Sequence, residues 1–273
     1  MTTVALNNGS RMPQLGLGTS RAGDDDSLES TIATAIEYGY RLIDTATVYG
    51  NETGVGRGIR ASGVERGELF VTTKVWNDSH GRDKTLAAFD ASLERLGLDY
   101  VDLYLIHWPV PSGDAYVETW RTLEEIAASG RAKAIGVSNF QIPHLERLAE
   151  QTQTVPAVNQ IELHPWLTQT ALRAHHAQAG IVTQAWSPLD KARGLMSDAT
   201  LAGLAERHER TIGQIILRWH VQSGHALIPK TVTPSRMRAN LDVFEFSLTE
   251  ADMALIDGMN ADLRHGPDPD VHA

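Results

Sequence analysis

The sequence has no cysteine among its 273 residues. This absence excludes disulfides, thiolate zinc sites, iron–sulfur clusters and a thiol nucleophile. Basic residues are outnumbered by acidic ones, 24 against 34, which gives a formal net charge of −10. Such a charge argues against nucleic acid or another polyanion as a partner, although it is compatible with a local basic pocket.

Long apolar runs are missing as well. No stretch approaches the roughly 18 apolar residues of a membrane span. The opening residues, MTTVALNNGSRMPQLGLG, lack the basic and then apolar segments of a secretory signal. We therefore predict a cytoplasmic protein with no membrane partner. With 42% hydrophobic and 21% charged residues, the chain has the composition of an ordinary globular protein with a substantial core.

Two common nucleotide-binding motifs are also absent. A doubly wound dinucleotide-binding domain should carry G-x-G-x-x-G after its first strand, and no Walker A motif occurs either. The glycines of GVGRG, which are Gly54, Gly56 and Gly58, have a different spacing and fall inside a predicted helix. We expect them to allow close helix packing.

Short apolar runs do alternate with longer amphipathic ones, after a predicted N-terminal hairpin. TVAL and MPQLGLG flank NNGS, a strong turn signal. Eight stretches are typical of strands, most of them buried on both faces: RLIDTA, LFVTTKV, DLYLIHW, AKAIGVSN, AVNQIEL, IVTQAWS, ALIPKT and DVFEF. Helical patterns occupy Ser27–Tyr38, Glu52–Ala61, Asp83–Leu96, Ala115–Ala128, Ile142–Glu150, Gln169–Ala179, Asp198–His220 (one helix or two), Pro234–Asn240 and, capped by Thr249, Glu250–Met259.

This alternation predicts the fold class. Eight strands alternating with helices fit an α/β protein with an (α/β)8 TIM barrel, and a doubly wound open sheet is the rival. Such barrels have about 250 residues, and no linker interrupts the pattern, so residues 1–273 are predicted to be a single domain. Catalytic groups of such barrels lie at the carboxyl ends of the strands.

Four chemically useful side chains occur at neighbouring strand ends. Asp44 ends the first predicted strand, Tyr49 lies in the next loop, and Lys74 and His107 end the second and third strands. Each alone would be a packed or solvated group, but chance explains the whole set poorly. An ammonium makes a nearby phenol a better acid, and a carboxylate keeps that ammonium protonated. The set suits protonation of an oxygen, such as that of a carbonyl receiving hydride.

At these residues the sequence resembles the aldo-keto reductases. The matching segments cover nearly the whole chain in order: GYRLIDTATVYGNE, VTTKVWN, DLYLIHWP, AIGVSNF, VNQIELHP, AWSPL and IPKTVTPSRMRANLDVF. Because of VPAVNQIELHP and the tryptophan of AWSPL, the sequence is most similar to the bacterial 2,5-diketo-gluconate reductase branch. The resemblance implies a barrel that reduces aldehydes or ketones with NADPH, and a catalytic tetrad of Asp44, Tyr49, Lys74 and His107.

The resemblance also implies a set of cofactor-binding residues. Ser138, Asn139 and Gln160 match residues that hold the nicotinamide carboxamide, and Trp186 matches an aromatic residue that stacks on the nicotinamide ring. The other matches lie in the pyrophosphate loop and in the segment that binds the adenosine end with its 2′-phosphate: Ser187, Leu189, Lys230, Thr231, Val232, Arg236 and Asn240.

Charge and pocket shape give this assignment physical sense. The cations Lys230 and Arg236 suit a 2′-phosphate better than a bare ribose. Val48, Trp76 and Trp108 are expected to shape the pocket of a small carbonyl substrate, keto-sugar acids among the candidates.

The sequence departs from the family pattern at several places. Relatives often have an acidic residue where this chain has Ala239, so an adenine contact is expected to be lost. Many mammalian relatives have a tryptophan where this chain has Ser20, so one aromatic wall of the pocket is expected to be missing. The tail, LRHGPDPDVHA, supports no assignment of side-chain roles.

Functions other than reduction fit the sequence less well. No set of histidines has convincing ligand spacing, so no metal is predicted. A barrel does not by itself fix function, so a cofactor-binding regulatory or scaffold subunit is the alternative, and the intact tetrad argues against it. The lack of paired carboxylates and metal ligands argues against a third hypothesis, a barrel hydrolase or isomerase. Barrels of this kind are often monomeric, and a monomer is expected.

Overall fold

A parallel sheet of eight strands follows an N-terminal hairpin. The computed structural model of the protein describes residues 2–190 and 194–272. In the hairpin, β1 (Thr3–Ala5) pairs antiparallel with β2 (Arg11–Pro13). The sheet follows the order of the chain, and its strands are β3 (Leu17–Gly18), β4 (Leu42–Asp44), β5 (Phe70–Val75), β6 (Val101–Ile106), β7 (Ala132–Ser138), β8 (Val158–Glu162), β9 (Val182–Trp186) and β10 (Ala226–Leu227).

The sheet closes on itself between its first and last strands. The backbone N–H of Gly16 donates to the carbonyl of Leu227 at 2.9 Å, and Gly18 forms a parallel bridge with Lys230. Closure needs a glycine at position 18, because a Cβ there would lie 2.8 Å from the carbonyl oxygen of Ile228. The predicted barrel with an N-terminal hairpin is therefore confirmed.

Helices surround the barrel. Those in the described part of the chain are α1 (Asp25–Glu37), α2 (Glu52–Ala61), α3 (Arg82–Leu96), α4 (Ala115–Ala128), α5 (Ile142–Gln151), α6 (Thr170–Ala179), α7 (Ala199–Arg207), α8 (Ile212–Gln222), α9 (Pro234–Leu241) and α10 (Glu250–Asp257). The predicted stretch 198–220 is two helices, because Thr211 and Gln214 form a capping box that starts α8. Thr249 caps α10 as predicted. Among these helices none has the length and apolar character to cross a bilayer.

The glycines of α2 allow its neighbours to approach closely. A Cβ on Gly54 would lie 2.5 Å from the Asp25 carbonyl oxygen, and one on Gly56 would lie 2.0 Å from that of Leu96. A Cβ on Gly58 would meet the side chain of Ile32 at 2.6 Å. The prediction that these glycines serve helix packing, and not dinucleotide binding, agrees with this geometry.

The predicted strands contain one error and one omission. DVFEF, residues 242–246, is not a strand but the segment after α9, where Val243 is buried and Phe244 and Phe246 pack against the core. The segment was predicted as a strand because its apolar residues alternate with polar ones. The missing strand is β3, whose two residues lie in the stretch that the sequence analysis assigned to the hairpin.

The hairpin covers the amino-terminal mouth of the barrel. Leu6 and Met12 are buried in a cluster with Leu42 and Phe70, the first residues of β4 and β5. The carboxyl ends of the strands, where the predicted polar residues lie, are therefore at the opposite mouth.

Candidate active site

A buried ion pair lies at the carboxyl-end mouth of the barrel. The Lys74 ammonium donates to Asp44 Oδ1 at 2.6 Å and to the carbonyl oxygen of Thr45 at 2.8 Å. Lys74 and Asp44 are at most 1% exposed. Their meeting follows from the parallel pairing of β4 with β5, in which Asp44 is opposite Thr72. A buried carboxylate needs such a partner, because an unpaired charge is costly to bury.

The two charges of this pair act on each other's protonation. Burial alone would lower the pKa of Lys74, but the Asp44 carboxylate raises it above the usual value for lysine. Burial raises the pKa of Asp44, and the Lys74 ammonium opposes that rise. Asp44 thus keeps Lys74 in its charged form.

Tyr49 lies above this pair, at the end of a short 3-10 helix, Thr47–Tyr49. The centre of its ring is 5.2 Å from Lys74 Nζ. Burial raises the pKa of Tyr49, while the Lys74 charge and hydrogen bonds from Lys74 and Ser20 lower it. The phenol therefore keeps its proton at neutral pH. The contact with Ser20 was missed by the sequence analysis, which treated this residue only as a lost aromatic wall.

His107 completes the group of four. Its ring lies 5.7 Å from that of Tyr49 and 5.1 Å from that of Trp76, edge to face in both cases. Burial and the charge of Lys74 hold the pKa of His107 well below its usual value, so the imidazole is neutral. Its Nδ1 is buried and has no hydrogen-bond partner within residues 2–190 and 194–272.

Amide side chains connect the tetrad to neighbouring strands. Gln160 Nε2 donates to Asp44 Oδ2 at 2.7 Å, and Ser138 Oγ donates to the carbonyl of Gln160 at 2.8 Å. Asn139 Nδ2 donates to the carbonyl of His107 at 3.0 Å. All three predicted carboxamide-binding residues are thus linked to the tetrad, Gln160 and Asn139 directly and Ser138 through Gln160.

Trp186 belongs to the same network. Its Nε1 donates to Asn139 Oδ1 at 2.8 Å. Asn139 adopts a left-handed backbone conformation (φ 64°), which asparagine tolerates well. After Trp186 the chain turns sharply at Ser187 (φ 49°), whose carbonyl accepts from the N–H of Asp190 at 2.9 Å, and Leu189 packs against the core.

The predicted adenosine segment lies next to the closing strand. Lys230 and Arg236 are exposed, and neither forms an ion pair with another described residue. Thr231 is buried, and its Oγ1 accepts from the N–H of residue 233 at 3.1 Å, whereas Val232 is exposed. Asn240 is buried and its side chain faces the hydroxyl of residue 40. Asn240 therefore links the end of this segment to Tyr40, two residues before β4.

The predicted substrate residues surround Tyr49 and His107. Val48 precedes Tyr49 and is exposed, and Trp76 is half-buried against His107. Trp108 is buried, and its ring lies 4.4 Å from that of His272 in the tail. The tail thus reaches the candidate pocket.

Glu162 is a second buried carboxylate at a strand end, and it was not among the predicted site residues. It accepts hydrogen bonds from the backbone of the tail at His265 and Gly266. Glu162 ends β8 in AVNQIEL as Asp44 ends β4 in RLIDTA, so a carboxylate at a strand end was the available signal. No group of three or more His, Cys, Asp or Glu in the described ranges could hold a metal ion.

Comparison with known proteins shows the family. The profile of the Aldo/keto reductase family matches residues 14–261. The chain is 49% identical over 268 residues to glyoxal reductase of Bacillus subtilis (98% of this chain, 96% of that protein). It is 46% identical over 269 residues to methylglyoxal reductase DkgA of Yersinia pestis (98% and 96%). A solved structure of a Gox0644 mutant in complex with NADPH has a TM-score of 0.95 at 46% identity, covering 100% of this chain and 98% of that chain.

The chain belongs to the aldo/keto reductase family and is an oxidoreductase. This confirms the family and the enzyme class that the motifs predicted. The predicted cofactor, NADPH, is the one that the Gox0644 mutant binds. The finer assignment to the 2,5-diketo-gluconate reductase branch stays a prediction.

Proposed function

We propose that this chain reduces small aldehydes and ketones, dicarbonyls in particular, to alcohols with NADPH. The observation that carries the proposal is the buried Lys74–Asp44 pair beneath the phenol of Tyr49, beside a neutral His107. The names of the Bacillus and Yersinia relatives support dicarbonyl substrates, and the NADPH complex of the Gox0644 mutant supports the cofactor.

The residues present fit NADPH. Asn139 and Gln160 offer amide groups for the carboxamide, and Trp186 offers an indole next to them for the nicotinamide ring. Lys230 and Arg236 are exposed cations without an ion-pair partner in the described part of the chain, and both would bind the 2′-phosphate. When bound, NADPH supplies the hydride.

Residues of the chain itself would supply the proton. Tyr49 would donate its phenolic proton to the substrate oxygen, and Lys74 would stabilise the phenolate that remains. Asp44 keeps Lys74 charged. Neutral His107 would donate a hydrogen bond to the same oxygen and orient it. A positioned general acid accelerates a reaction about 10²–10⁴-fold, so Tyr49 carries a large share of the catalysis.

The pocket favours small substrates. Trp76 stands against His107, and Trp108 is covered by His272, so two aromatic walls and the tail narrow the space in front of the phenol. We also propose that one chain acts as a single-domain monomer, because the strand ends of one barrel supply all the proposed catalytic groups. Light scattering of the purified protein would check the monomer.

The direct test is oxidation of NADPH in the presence of glyoxal, methylglyoxal and 2,5-diketo-gluconate. We expect turnover with the small dicarbonyls and a lower kcat/KM with the keto-sugar acid. NADPH binding without turnover on any carbonyl of the panel would favour the alternative of a cofactor-binding subunit. A preference for the keto-sugar acid would support the 2,5-diketo-gluconate reductase branch instead.

A further inference from the structure

Glu162 and Trp186 are neighbours at the carboxyl-end mouth of the barrel. They are register partners on the parallel strands β8 and β9. Gln160 and Gln184, two residues earlier on each strand, meet inside the barrel at 2.8 Å. Because side chains two apart point to the same face of a strand, Glu162 and Trp186 form the next layer above these amides.

The Glu162 carboxylate binds the tail. It is 1% exposed, and it accepts from the backbone N–H groups of His265 at 2.9 Å and Gly266 at 2.8 Å. His164 Nε2 lies 3.3 Å from the same carboxylate. Burial would raise the pKa of Glu162, but these hydrogen bonds hold it below the usual value. The charged form therefore anchors the tail.

Gly266 touches the indole of Trp186. A Cβ at this position would lie 2.5 Å from Trp186 Cη2 and 2.8 Å from Glu162 Oε2. The backbone of Gly266 is not left-handed, so the glycine is needed for close approach and not for its conformation. The indole nitrogen is bonded to Asn139. The ring is thus bounded by Asn139 at its nitrogen and by the tail at its outer edge.

We infer that Glu162 is a positioning residue, which fixes the tail at His265 and Gly266 and through Gly266 sets the position of the Trp186 indole. The inference rests on the proposed function where it treats this indole as the surface for the nicotinamide. A purely structural role for Glu162 would stabilise the tail without affecting the indole or the cofactor.

The first experiment adds one methyl group at the contact. In Gly266→Ala, we expect a changed near-ultraviolet circular dichroism spectrum without cofactor and an NADPH affinity lowered about tenfold. Gly203→Ala is the matched control, because a Cβ at Gly203 on α7 meets nothing within 4 Å. An unchanged spectrum and an unchanged NADPH affinity in Gly266→Ala would overturn the inference.

The second experiment is a double-mutant cycle with Trp186→Phe, whose smaller ring lacks the outer indole atoms that the methyl group would meet. We expect Gly266→Ala to change both the spectrum and the NADPH affinity much less in this background. Equal effects in the two backgrounds would overturn the inference. If Trp186→Phe itself leaves NADPH affinity unchanged, the cofactor role of Trp186 is wrong, and the spectra still decide whether Gly266 positions the ring.

A third variant tests Glu162 itself. Glu162→Gln keeps the shape but presents one acceptor oxygen to two backbone donors. We expect the same spectral change as in Gly266→Ala and a higher KM for NADPH, with kcat at saturating NADPH less affected. A lower melting temperature with the parental spectrum and the parental KM would mean that Glu162 only stabilises the tail.

Discussion

Two ion pairs with buried carboxylates contact opposite faces of strand β5. Inside the barrel, Lys74 pairs with Asp44 at 2.6 Å. Outside it, the hydroxyl of Thr73 donates to Glu52 at 2.6 Å, and Arg95 pairs with the same carboxylate at 2.6 Å. Successive side chains of a strand point to opposite faces, so adjacent residues of one strand serve two different sites.

The two pairs differ in what surrounds them. The outer carboxylate, Glu52, is bonded by side chains of β5 and α3, and Arg95 is 38% exposed, so its guanidinium reaches solvent. The inner pair lies beneath a phenol, and the nearby His107 Nδ1 has no hydrogen-bond partner in the described part of the chain. A buried ion pair alone therefore does not mark an active site. The inner pair is distinguished by its place at the carboxyl-end mouth of the barrel, beside Tyr49 and His107, because the buried hydroxyl of Tyr104 near the outer pair also has no hydrogen-bond partner in the described ranges.

The largest effect is expected inside the barrel. Tyr49→Phe keeps the ring and removes the acidic hydrogen, so kcat should fall about 10²–10⁴-fold. NADPH affinity and the free energy of unfolding should stay close to parental values. Steady-state kinetics and fluorescence titration with NADPH would check this, and near-parental turnover would remove Tyr49 from the mechanism.

A smaller effect on rate is expected for Asp44→Asn, roughly 10²-fold. Asp44 raises the pKa of Lys74, so losing the carboxylate should lower it. Lys74 would then lose its proton at lower pH, and the alkaline decline of activity should move to lower pH. Single-turnover hydride transfer across pH in both proteins is the measurement. Superimposable profiles would make Asp44 a structural residue like Glu52.

Substitution in the outer pair, Glu52 and Arg95, should change the stability of the protein and not its turnover. Glu52→Gln removes the charge that binds Arg95 and weakens the buried hydrogen bonds with Thr73 and Ser92, which should lower the free energy of unfolding by about 1–3 kcal/mol. The turnover of the folded protein should change little. Glu29→Gln is a suitable control, because its pair with Arg57 is exposed and contributes little to stability. Urea unfolding measures both, and a large fall in kcat for Glu52→Gln would break the contrast between the two pairs.

The smallest effect concerns a cation with no carboxylate partner in the described ranges, Arg236. A charge-assisted contact with phosphate is worth about 1.5–3 kcal/mol, so Arg236→Ala should weaken NADPH binding and leave NADH binding and stability unchanged. Arg95→Ala should instead lower the free energy of unfolding and leave NADPH binding unchanged. Equal affinity of the parental protein for the two cofactors would contradict the role of Arg236.

The sequence predicted most helices because their signals are local. α2 and α4 begin and end as predicted, since apolar periodicity is read within one segment. β3 escaped prediction because two residues have no period, and DVFEF was taken for a strand because its alternation is real but serves packing against helices. Only the closed sheet, with Gly18 against Ile228, distinguishes these two segments.

The site shows the same division. The sequence by itself placed Asp44, Lys74 and His107 at the ends of consecutive strands, because apolar runs that stop at a polar residue are visible in one dimension. It could not show that Glu162 accepts the N–H of Gly266, 104 residues later. Closure of the barrel and the path of the tail decided that contact, because a hydrogen bond between distant segments exists only where the folded backbone brings its donor and acceptor together.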